Sequence, residues 1–85
     1  MSQAEERYNA GVELQQQGRL QEAVAEYDEA IRLDLQYAEA YCNRALAYAL
    51  FGRDAEAQLD IARATELGFD KTLWAAYVEE AKKQR

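Results

Sequence analysis

Sixteen carboxylates, one thiol and no imidazole bound the chemistry open to this 85-residue sequence. Acid–base catalysis needs paired groups whose surroundings push their pKa values apart. Glu26, Asp28 and Glu29 are close in sequence but fall on a polar helix face, and their plain reading is a solvated surface. Without His there is no imidazole base and no His metal ligand. Cys42 has no activating partner visible in the sequence, so it reads as a small apolar residue. The four glycines are isolated and form no phosphate loop. The acidic residues do not follow a calcium-loop pattern. The expectation is no enzyme, no cofactor and no metal.

Recognition is the chemistry that remains. A formal charge of −6 argues against unaided binding to nucleic acid or to anionic lipid, and mildly favours a basic or neutral partner. A lone cysteine cannot form an internal disulfide and fits a reducing compartment, so the expected location is cytoplasmic. The first residues, Met1 to Glu6, carry no basic start and no apolar run, unlike a signal peptide. No stretch approaches the roughly 18 apolar residues of a membrane span.

Helices must position whatever binds. Proline is absent, and Ala, Glu, Gln, Leu and Arg, all strong helix formers, dominate. Apolar residues at spacings of three and four predict five helices, over about Gln3–Gln17, Leu20–Leu33, Tyr37–Phe51, Asp54–Leu67 and Asp70–Lys83. Gly18, Gly52 and Gly68 end the first, third and fourth. Asp54 and Asp70 are candidate N-caps for the last two. Connections this short force successive helices to pack antiparallel. The chain is long enough for a single small domain, 1–85, with stability on the order of 5 kcal/mol.

The chain also repeats. Shifted by 34 positions it matches itself at Ala4/Ala38, Glu5/Glu39, Asn9/Asn43, Gly18/Gly52, Arg19/Arg53, Glu22/Glu56, Ala23/Ala57, Ala30/Ala64 and Leu33/Leu67. A helix–turn–helix unit near this period is a solenoid signature. Small residues at Gly11, Ala23 and Ala30, and again at Ala45, Ala57 and Ala64, let the helices of a pair approach closely. Leu14, Tyr27, Tyr48 and Ile61 fill the space beside them. The string from Ala40 to Tyr48 and the run Arg32-Leu33-Asp34-Leu35 resemble the tetratricopeptide repeat (TPR). Leu35 and Phe69 stand where that family usually has Pro, and Arg7 stands where it has a large aromatic.

The resemblance implies an all-α solenoid of two helix pairs, about 4–37 and 38–71, stacked with a right-handed superhelical turn. A fifth helix, about 70–83, would cap it, covering the last apolar face with Leu73, Trp74, Tyr77, Val78 and Ala81. It implies a protein–protein interaction module whose first helices line a concave face that takes a peptide or helix of a partner. Carried over by position, that face holds Glu5, Tyr8, Asn9, Val12, Gln15 and Gln16, then Glu39, Cys42, Asn43, Leu46, Ala49 and Leu50. Two Asn amides could pair with a peptide backbone beside an apolar strip. Tyr27, Tyr41, Tyr48 and Trp74 read as core. The carboxylate clamp of some members is essentially absent, since Tyr8, Val12, Leu73 and Tyr77 stand at its Lys, Asn and basic positions and only Asn43 matches. Two pairs fall short of the usual three repeats, which leaves self-association, as a homodimer with helices swapped between copies, as the alternative. Lys82, Lys83 and Arg85 read as helix-dipole partners and a frayed tail.

Overall fold

The computed structural model describes residues 1–85 as five helices: α1 Gln3–Gln16, α2 Leu20–Leu33, α3 Ala38–Leu50, α4 Asp54–Glu66 and α5 Lys71–Gln84. Each expected helix is present, with ends shifted by one residue at most. Capping chemistry sets several of the ends. Ser2 and Glu5 form a reciprocal capping box at the start of α1. Asp70 accepts from the Thr72 and Leu73 amides and caps α5. Asp54 does not cap α4. Arg53 holds the cap position without a side-chain bond, and Asp54 is the first helical residue. Gly18, Gly52 and Gly68 have φ of 77°, 85° and 107°, the left-handed conformation that ends α1, α3 and α4.

The molecule measures 33 × 28 × 17 Å, and its thin dimension is under two helix diameters. α1 packs on α2, α3 on α4, and α2 on α3; α5 lies against both α3 and α4. Only α3 touches all four other helices. A helix surrounded in this way must be apolar or small nearly all round. Ala38, Ala40, Ala45, Ala47 and Ala49 are buried along it, with Tyr41 and Cys42. The resulting all-α helical-repeat solenoid is the expected fold class.

The close approach within the first pair is concrete. A Cβ placed on Gly11 would lie 2.5 Å from Cε1 of Tyr27. That ring is fully buried, and its hydroxyl donates to Gln15 Oε1 at 2.6 Å. Burial of such a side chain contributes about 1.5–3 kcal/mol. The second pair uses Ala45, Ala57, Ile61 and Ala64, all essentially buried. α5 completes that core with Val78 and Ala81.

One polar clasp crosses between the pairs. Arg44 Nε and Nη2 donate to the two carboxylate oxygens of Asp60 at 2.8 and 2.7 Å, and Nη1 donates to Asp28 at 2.8 Å. The guanidinium also lies 5.5 Å from the Tyr41 ring centroid and 5.8 Å from that of Tyr48. Asp60 is 4% exposed. Burial pushes its carboxyl above the ordinary range, against the pull of Arg44. The clasp therefore sets geometry between α2, α3 and α4 more than it adds stability.

Candidate protein-binding groove

α1, α3 and α5 form one layer of the molecule and open a groove of about 350 Å³ between them. Gln15 contributes from α1, Leu46 and Leu50 from α3, and Trp74, Tyr77, Glu80, Ala81 and Gln84 from α5. The apolar walls are held from behind. Leu46, Leu50 and Trp74 are half-buried against the cluster of Ala45, Ala49, Ile61 and Val78. Tyr77 stands edge-on to Trp74 at 5.2 Å and is 46% exposed. This groove can seat an apolar side chain while neutral amides at Gln15 and Gln84 offer hydrogen bonds at its rim.

The sequence-expected face divides into two ends. Leu46 and Leu50 lie in the groove with Gln15. Glu5, Tyr8, Asn9, Glu39 and Asn43 lie toward the N-terminal ends of α1 and α3, with half-buried Val12 between. There Tyr8 is wedged between Tyr27 and Tyr37, at 5.9 and 5.1 Å. Asn43 Nδ2 donates to the Tyr8 hydroxyl at 2.8 Å and to the Glu39 carbonyl at 3.1 Å. This amide ties α3 to α1, and a ligand backbone would have to compete for it. The Asn9 amide points to Met1 Sδ at 3.1 Å. Burial, followed by the charge of Glu39, pushes the Tyr8 hydroxyl up.

Two expected surface residues are not at the surface. Cys42 is fully buried among Ala30, Ile31, Tyr41 and Ala64, so it cannot touch a partner as the family pattern implies. Burial pushes its thiol up to about 12. Ala49 is likewise fully buried. The cause is the central place of α3, which brings neighbours to both sides of the stripe.

α5 was expected to cover apolar surface, and it does so only with Val78, Ala81 and part of Trp74. Leu73 and Tyr77 remain 48% and 46% exposed. α5 therefore acts as a wall of the groove as well as a cover. Trp74 and Tyr77 are the site residues that sequence reasoning assigned elsewhere, as core or cap. The signal was present: the next 34-step begins at Thr72, so α5 stands where a third first-helix would stand. Arg85 is no frayed tail. It donates to the Ala49 carbonyl at 3.1 Å and clamps Asp54 with two hydrogen bonds, anchoring the end of α5 at the α3–α4 turn.

No group of His, Cys, Asp or Glu is arranged to hold a metal ion, and no helix is long and apolar enough to cross a membrane. No curated protein and no solved structure matches the chain significantly. Two family patterns do match: one described as TPR repeat over residues 11–52, and one described as tetratricopeptide repeat over residues 38–67. Repeats of this kind generally mediate protein–protein interaction and are not typically catalytic. Together the matches run from within α1 to the end of α4, and the helices, their 34-residue echo and the small-residue contacts agree with them, so the chain belongs to the tetratricopeptide-repeat family.

Proposed function

We propose that the chain is an interaction module that takes a peptide or a helix of a partner protein in the groove between α1, α3 and α5. The observation that carries this reading is the exposed apolar surface of Leu46, Leu50, Trp74 and Tyr77, gathered in one concavity of about 350 Å³. An apolar concavity rimmed by a few polar groups is the usual form of a binding site. Leu46→Glu places a charge on the groove floor, and Tyr77→Ala removes one wall without touching the buried core. Both are expected to weaken capture of a confirmed partner by tenfold or more, roughly the loss of one buried anchor, with helicity by circular dichroism retained in the Tyr77 variant. Unchanged binding by both would overturn the groove assignment.

A further inference from the structure

The charges around the groove say what kind of segment fits it. Nine of the ten basic side chains have a carboxylate within 4 Å, and the tenth, Lys71, lies beside α4 with Gln58 and Thr65. None of the groove-lining residues is basic. Three carboxylates without an ion-pair partner, Glu5, Asp34 and Glu39, line one depression around Tyr37 at the N-terminal ends of α1 and α3. The Tyr37 hydroxyl is pushed up by burial first and then by Glu39, Glu5 and Asp34, with no cation opposing them. The N-termini of α1 and α3 offset roughly half a charge each, and the C-terminus of α2, which Asp34 caps, returns about half. The Met1 ammonium acts on Glu5, so the depression keeps a net negative charge of about one to two.

This acidic end is continuous with the apolar one. Glu39, Asn43, Leu46 and Leu50 follow one another at spacings of four, three and four along a single stripe of α3. At about 1.5 Å per residue, Leu46 and Leu50 lie roughly 10–16 Å from Glu39. We propose that the occupant is a cationic–apolar peptide segment. A large apolar side chain sits on Leu46, Leu50, Trp74 and Tyr77, and Lys or Arg about three to five extended residues away lies over Glu5, Asp34 and Glu39. The proposal rests on the groove reading above and adds the chemistry of the partner to it. A second copy of this chain is a poor occupant, because it brings a charge of −6 and nine of its ten cations are already paired.

The test is selection of a random dodecapeptide display library on the immobilised full chain, with the Leu46→Glu and Tyr77→Ala variants in parallel. The expected enrichment is for Lys or Arg three to five positions from a Leu, Phe or Trp. A synthetic peptide of the enriched sequence should bind, by fluorescence anisotropy, several-fold more weakly as salt rises from 20 to 200 mM, because screening shortens the reach of rim charges. The isosteric double change Glu39→Gln with Asp34→Asn should weaken it about threefold to tenfold at low salt. Enrichment of apolar peptides without cations would leave the groove standing and overturn the charge assignment. No enrichment over either groove variant would overturn both. A dimer seen by light scattering and dispersed by Tyr77→Ala would make a second copy the occupant and overturn the proposal.

Discussion

Gly11 shows how much one missing carbon can matter. Its place beside Tyr27 leaves no room for a Cβ, and Tyr27 cannot swing away while its hydroxyl is held by Gln15. Gly11→Ala should therefore cost about 1–3 kcal/mol despite the better helix propensity of Ala. A lowered midpoint in urea would show it, and an unchanged or raised midpoint would refute the close approach. This contact was legible as a small residue opposite an aromatic. The fate of Cys42 was not, because a stripe on a helix predicts one exposed edge only when one side of the helix is free. α3 touches all four other helices, and the strip through Glu39, Asn43, Leu46 and Leu50 stays open. Arg44 and Asp60 gave no signal either. They lie 16 residues apart on different helices, and a charged residue in a helical pattern reads as solvated until its partner is known.

Elements were more legible than their ends. Helix periodicity, the glycine terminators and the Asp70 cap located all five helices, whereas Asp54 had two competing uses. Its carboxylate is held below the ordinary range first by hydrogen bonds from Arg85, and this contact spans 31 residues that no local pattern could join. That anchor ties the C-terminal end of α5, the helix that carries Trp74 and Tyr77, to the α3–α4 turn. Arg85→Ala should fray the last turn of α5 and raise amide hydrogen exchange there by several-fold, while α2 remains protected. Equal protection in the variant would show that Val78 and Ala81 alone hold the helix. α5 also differs from α1 and α3 in one telling way. Glu79 and Lys82 occupy the places equivalent to Gly11 and Leu14, and form an exposed ion pair at 3.0 Å. A helix packed on that side would have to bury the pair.

For the molecule as a whole, the pH response should be asymmetric. Cys42 and Tyr37 are both pushed up to about 12, Cys42 from an ordinary 9.0, and Tyr27 is pushed up as well. These groups keep their protons longer in the fold than in the unfolded chain. Their contribution is complete below about pH 9 and is lost as pH rises toward 12. On the acid side Glu5, Glu29, Asp54 and Glu56 are held low by hydrogen bonds, so their contribution is lost as pH falls through the carboxylate range. They are solvent-exposed and screened, and Asp60 shifts the other way, so the acid limb should be shallow. Urea midpoints measured from pH 3 to 11 should fall more steeply above 9 than below 5. The reverse would show that Cys42 and Tyr37 are not enclosed as described.

The guanidinium of Arg44 has a further effect on how the chain comes apart. In a stack where each unit meets only its neighbours, unfolding is cooperative only as far as the interfaces couple one unit to the next. Arg44 bonds Asp28 of the first pair and the buried Asp60 of the second at once, so opening the first pair takes one partner from a guanidinium that is itself only 18% exposed. That contact adds to the packing of Ala30 and Ile31 on Ala40 and Tyr41, which couples the two helical hairpins as they melt. A calorimetric transition narrower in the parent than in an Arg44→Met variant, whose two pairs should separate into a broader profile, is the mark this coupling would leave.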